Sequence, residues 1–504
     1  MHKASFTLDP AFTIAPVRRR TFGSFVEHLG RCVYNGIYEP DHPNADEEGF
    51  RRDVLELTRE LGVTTVRYPG GNFVSGYRWE DGIGPRDKRP VRRDLAWHSI
   101  ETNQVGLDEF ISWCRKANVE PMLAINLGTR GVAEALDLLE YANHPSGTYW
   151  SDLRIAHGAT KPHNIRMWCL GNEMDGPWQI GHKTATEYGR LAAQTARAMR
   201  MVDPDLELVV CGSSGSSMPT FGAWEAEVLT HTYDVVDFIS LHAYYEETDG
   251  DLGSFLASAL DMDHFIDSVV ATADHVGAKL RSKKRIQLSF DEWNVWYLSR
   301  YQQQGNPVDW EYAPRLLEDN YHVADAVVVG NLLISLLRHS DRVTSACQAQ
   351  LVNVIAPIFT EPGGPAWRQT IFYPFAQASR LAKGSVLRVE VTAPQYETAK
   401  YGPAPVVDAV ATHDPESGEV TVFAVNRAIE DETVLTIDLR AFNGLVPGDS
   451  TCLWDTDVYA RNNAEQPDRV QPRPHPSVTV ADGTATVVMP PVSWNVIRLV
   501  RDSA

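Results

Sequence analysis

Eight short apolar runs, each followed by a longer stretch with helical spacing, constrain this chain more than any other feature. The runs are 22–29, 63–69, 120–126, 165–173, 207–213, 237–244, 286–293 and 343–352, with helical patterns at 53–61, 107–118, 184–201, 252–276 and 316–338. Strands that alternate with helices pair in parallel, and eight such units predict a closed (β/α)8 barrel, here over 16–383. In that architecture the strands' carboxyl ends share one face, where chemistry gathers. The ends read Glu27, Asn72, Asn126, Asn172-Glu173, Ser213-Ser214, His242 to Tyr244, Glu292, and Gln348 or Gln350.

Beyond residue 384 the pattern changes to period-two alternation without long helices, at 406–412, 419–426, 434–439 and 478–488, the last carrying the hairpin signal Asp482-Gly483. An all-β sandwich over 384–504 is predicted. Ser5-Phe-Thr-Leu8 alternates likewise, so 1–15 is expected to add an edge strand to it. A length of 504 residues suits a barrel plus one smaller module. The module itself shows no catalytic cluster.

The formal net charge of −20 argues against a nucleic-acid partner and against attraction to an anionic membrane surface, and favours a neutral substrate. Met1 to Pro10 lacks the apolar core of a secretory signal, so a cytoplasmic location is expected. The most apolar stretch, 323–337, is too short to span a bilayer. Six scattered cysteines without CxxC spacing predict no disulfides. Dispersed histidines and the absence of HExxH disfavour a metal-dependent hydrolase, and Gly212-Ser-Ser-Gly-Ser216 does not form a GxSxG elbow. No cofactor is expected.

Glu173 and one of Asp291 and Glu292 stand at the ends of the fourth and seventh runs. Two carboxylates converging from separate strands suit glycoside hydrolysis, one protonated to release the leaving oxygen and one ionised to attack. Strand alternation should send only one of Asp291 and Glu292 into the pocket; Glu292 is the choice, with Asp291 a supporting carboxylate. Long loops at 73–105 and 297–314 bring aromatic side chains, and Trp97, Trp178, Trp296 and Tyr301 are candidate walls for a sugar site. His28 and His242 are candidate partners of the carboxylates. The pair alone leaves open a β-xylosidase, an endo-β-1,4-glucanase or a non-catalytic carbohydrate-binding protein.

Six ordered segments narrow this: 22–31 (FGSFVEHLGR), 67–73 (RYPGGNF), 167–181 (MWCLGNEMDGPWQIG), 241–245 (LHAYY), 289–297 (SFDEWNVWY) and 349–357 (AQLVNVIAP). Together they resemble the α-L-arabinofuranosidases of glycoside hydrolase family 51 over nearly the whole chain. The resemblance implies a retaining, exo-acting enzyme that releases terminal arabinofuranose from arabino-oligosaccharides, arabinan or arabinoxylan fragments. Glu292 would be the nucleophile and Glu173 the acid/base, its carboxyl raised by the neighbouring charge of Glu292. Glu27, Asn72, Asn172, Tyr244 and Gln350 would hold the sugar, with Gln348 competing for the place of Gln350. The resemblance also implies a homo-oligomer, a hexamer.

Overall fold

In the computed structural model, which describes residues 1–442 and 444–502, eight parallel strands close into a barrel. They are β1 (Gly23–Phe25), β2 (Thr65–Tyr68), β3 (Glu120–Ala124), β4 (Met167–Leu170), β5 (Glu207–Val210), β6 (Phe238–Tyr245), β7 (Gln287–Val295) and β8 (Val343–Gln348). Each pairs with the next, and β8 closes on β1 through Cys347 opposite Gly23 and Gln348 opposite Ser24. Each falls on one of the eight apolar runs, β6 and β7 reaching one and two residues past theirs, because strands covered on both faces are apolar almost throughout. All six cysteines are free and buried, several of them in this interior.

Helices cover the outside, and two differ from the sequence pattern. The helix expected from 316 begins only at Val323, where the Asp325 carboxylate accepts the His322 backbone N–H at 2.8 Å. Residues 316–322 instead form an irregular segment with Leu317 at φ 52°, and Tyr321 donates its hydroxyl to the Val295 carbonyl at the end of β7 at 2.7 Å. The pattern at 252–276 divides into Leu252–Leu256 and Ala259–Lys279.

The remaining chain forms two packed sheets. One has four strands in the order His2–Thr7, Thr433–Asp438, Thr484–Met489 and Val478–Ala481, so the amino-terminal strand lies at its edge. The last two join through Asp482 and Gly483, both at positive φ, the backbone that a tight hairpin turn needs. The larger sheet centres on Val407–His413, Val420–Asn426 and Ser493–Arg501. It packs on barrel helix Val323–Arg338 at Gly330, where a Cβ would lie 2.3 Å from the Trp494 ring. Beside it Asn331 donates to Asp408 at 2.7 Å, and Arg427 donates to Asn331 at 2.6 Å and to Asp408 at 3.0 Å. These buried polar groups thus satisfy one another across the junction.

Candidate active site

The interior of the barrel's carboxyl-end face holds a charged cluster built on β2, β4, β6 and β7. Arg67 of β2 is fully buried. Its guanidinium donates to Glu292 Oε1 at 2.8 Å and to Asn172 Oδ1 at 2.6 Å, and lies 3.8 Å from Asp291. His242 of β6 places Nδ1 2.9 Å from Glu173 Oε1 and 3.5 Å from Glu292 Oε2, while Nε2 lies 2.9 Å from Asp291 Oδ1. Tyr244 donates its hydroxyl to Glu292 Oε2 at 2.7 Å. One oxygen of Glu173, one of Glu292 and a nitrogen of His242 all lie within 4.8 Å of one another. Such spacing resembles the roughly 5–5.5 Å between carboxyl groups of retaining glycosidases.

Asp291 and Glu292 are consecutive, yet both reach His242 and Arg67. The expectation that alternation would separate them fails because β7 breaks register with both neighbours, β6 between Ser240 and His242 and β8 between Phe290 and Trp293. Asp291 lies deeper, also accepting the Cys169 thiol at 3.8 Å.

Burial raises the Glu292 carboxyl above its ordinary range, opposed by the charges of His242 and Arg67 and reinforced by that of Glu173. Burial alone would lower the His242 imidazole, but Glu292, Asp291 and Glu173 outweigh it and hold the ring at about 10. His242 is therefore an imidazolium at neutral pH. Burial, with the adjacent Glu292, raises the Tyr244 phenol well above its usual value, so it stays a donor.

A third carboxylate, Glu27, closes the β1 side. Its Oε1 accepts the Phe73 backbone N–H and the Trp97 indole N–H, both at 2.9 Å, and its Oε2 accepts Gln350 Nε2 at 3.1 Å. Burial pushes this carboxyl up to about 8 despite those donors. The Gly70-Gly71 pair of the RYPGGNF segment is required here, since a Cβ on Gly71 would lie 2.7 Å from Glu27 Oε2. Asn172 Nδ2 approaches Asn72 Oδ1 at 3.5 Å, placing the two amides side by side.

The structure therefore brings together Glu27, Asn72, Asn172, Glu173, Tyr244, Glu292 and Gln350. Gln348 is set apart: it donates to Asn294 at 3.2 Å, fully buried, whereas Gln350 follows the end of β8 and turns to Glu27. Asn126 caps its own loop by bonding Tyr77 and Thr129, and Ser213 accepts no such task, its backbone being tied to Glu225. His28 lies behind the site, 2.8 Å from the Tyr68 hydroxyl and 2.9 Å from Glu101. The four aromatics converge as walls: Trp97 bonds Glu27, Trp178 donates to Glu173 Oε2 at 2.7 Å, Trp296 meets Tyr244 edge-on at 5.0 Å, and Tyr301 lies 6.2 Å from both Trp97 and Trp296.

Sequence reasoning did not single out Arg67. Its signal was present, a lone arginine inside the apolar run 63–69, which is costly unless charges answer it.

Profiles of two known domains match the chain, the alpha-L-arabinofuranosidase 1 domain over residues 57–263 and the alpha-L-arabinofuranosidase C-terminal domain over 291–493. The chain belongs to the family 51 α-L-arabinofuranosidases. It is 63% identical to an intracellular exo-alpha-(1->5)-L-arabinofuranosidase of Streptomyces lividans, covering 99% of this chain and 75% of the relative. It is 56% identical to an exo-alpha-(1->6)-L-arabinofuranosidase of Bifidobacterium longum, covering 99% and 98%. A solved family 51 α-L-arabinofuranosidase from Bifidobacterium longum superposes with a TM-score of 0.95 at 51% identity, covering 99% of each chain. Membership in this family removes the β-xylosidase, endoglucanase and non-catalytic readings that the two carboxylates alone left open.

Proposed function

We propose that this family 51 enzyme is a retaining, exo-acting α-L-arabinofuranosidase in which Glu292 attacks the anomeric carbon while Glu173 protonates the departing oxygen. The arabinosyl ester on Glu292 is then cleaved by water, which gives its proton to Glu173. The observation that carries the reading is the approach of the two carboxylates to within 4.8 Å beside His242. Arg67 and Tyr244 donate to Glu292 and the charge of His242 lies 3.5 Å away, which together favour its ionised form. Glu27, Asn72, Asn172, Tyr244 and Gln350 offer the acceptors and donors that a furanose's hydroxyls need at fixed points.

The substrates are terminal non-reducing α-L-arabinofuranosyl groups of arabino-oligosaccharides, arabinan or arabinoxylan fragments. Relatives of similar identity are named for 1→5 and for 1→6 linkages, so kinetics on defined oligosaccharides decide the linkage. We place the enzyme in the cytoplasm, as a homo-oligomer. Relatives named intracellular support the first, and family resemblance supports a hexamer, which light scattering tests. No helix among the described residues is long and apolar enough to cross a membrane. Along the chain, we assign catalysis to 16–383 and support to 384–504 with 1–15.

Azide rescue tests the roles. Glu173→Ala is expected to keep activity on arabinosides with very good leaving groups, and added azide should accelerate it and yield arabinosyl azide of retained configuration. Glu292→Ala should form no covalent intermediate. Retained azide product from the Glu292 variant alone would reverse the assignment.

A further inference from the structure

The geometry points to Trp178 as the floor of the subsite for the sugar being released from the arabinose, its open indole face receiving the apolar face of that first ring. The inference rests on Glu173 as the proton donor. Trp178 is 52% exposed, the most open aromatic among those around the carboxylates. It is not loose. Its indole N–H bonds Glu173 Oε2 at 2.7 Å, and its ring lies against its own loop, where a Cβ on Gly176 would fall 2.5 Å from Cε2. The loop itself is pinned by two turns, Gly176 N–H to the Glu173 carbonyl at 2.9 Å and Gln179 N–H to the Gly176 carbonyl at 3.0 Å. Glu173, at φ 44° in the left-handed region, starts the first of these turns.

A ring held along one edge and covered on one side has a single free face. The leaving oxygen must come within hydrogen-bond reach of Glu173 to take its proton. The carbon skeleton attached to that oxygen therefore leaves the cavity alongside the side chain bonded to the same carboxylate. Pyranose and furanose rings both carry a face of C–H groups, and a fixed indole suits such a face with little ordering cost. Because the same ring bonds the acid, occupancy of this subsite and orientation of Glu173 are linked through one side chain.

The test compares kcat/KM on arabinofuranosyl-(1→5)-arabinose, whose leaving group is a sugar, with α-L-arabinofuranosyl fluoride, whose leaving group has no ring and needs no acid. Trp178→Ala should lower the disaccharide-to-fluoride ratio by roughly ten-fold, chiefly through KM on the disaccharide. Trp178→Phe loses the N–H but keeps a ring, and should hold that ratio within about three-fold of the parent enzyme. Equal losses in the two variants would assign Trp178 to orienting Glu173 alone and overturn the subsite, as would an unchanged ratio in Trp178→Ala. Glu173→Ala separates the underlying reading: its ratio should collapse, and an unchanged ratio there would remove Glu173 as the acid, independently of the two tryptophan variants. Melting temperatures of all three verify folding.

Discussion

Replacing Arg67 with Met isolates the charge that the barrel interior places against Glu292. Arg67 donates to Glu292 at 2.8 Å and to Asn172 at 2.6 Å from a fully buried position. A hydrogen bond to a charged group contributes about 1.5–3 kcal/mol, which corresponds to about 1–2 pH units of carboxyl titration. Burial already raises Glu292, and Arg67 is one of the charges opposing it. Its loss raises the carboxyl further, so a larger fraction of the nucleophile is protonated at a given pH. The acidic limb of kcat/KM should therefore move upward by about 1–2 pH units. The assay uses an aryl arabinofuranoside with a good leaving group, so that Glu173 protonation does not limit the rate. Breaking a buried ion pair from one side also costs about 3–5 kcal/mol of stability, readable by urea unfolding. Arg67→Lys retains the charge without the two-pronged geometry and should fall between. An acidic limb that stays in place in a folded Arg67→Met would refute the electrostatic account of this cluster.

Tyr244→Phe removes the 2.7 Å donor to Glu292 and should reduce kcat/KM by about ten-fold or more, shifting the acidic limb upward for the same reason. Glu27, held at about 8 by burial, binds a proton in the folded chain that an ordinary carboxyl has already lost, so its contribution to stability is complete below about pH 4.5 and disappears as pH rises through 8. Unfolding free energies of Glu27→Gln relative to the parent should thus improve between pH 5 and 8, and a flat difference would contradict this. Gly330→Ala places a methyl 2.3 Å from Trp494, whose indole N–H is anchored to Gln377 at 2.8 Å, and should cost about 1–3 kcal/mol in urea unfolding with an unchanged slope. A midpoint equal to the parent's would show that the junction yields.

The barrel was legible because strands buried on both faces cannot hide among polar residues, and because Glu27, Asn172, Glu173 and Glu292 interrupt those runs at their polar ends. Local breaks in regularity were not legible. The register shift in β7 turned both Asp291 and Glu292 inward, which strict alternation forbids. Leu316, Leu317 and Tyr321 follow helical spacing, yet they belong to an irregular segment, and the cap at His322 and Asp325 decides where the helix starts. Choosing between Gln348 and Gln350 needed the end of β8, which spacing alone does not mark. Arg67 could have been found by asking what answers a positive charge in an apolar strand; the answer is two acceptors, Asn172 just after β4 and Glu292 of β7, with the Asp291 carboxylate 3.8 Å away.

The central claim is that Glu292 becomes covalently bonded to the sugar while Glu173 serves it from across the cavity. Trapping the enzyme with a mechanism-based arabinofuranosyl inhibitor and sequencing the labelled peptide by mass spectrometry addresses it in one measurement. The account predicts a single adduct on the Glu292 carboxylate, in the segment 289–297. An adduct on Glu173, Glu27 or Asp291, with Glu292 unmodified, would contradict it.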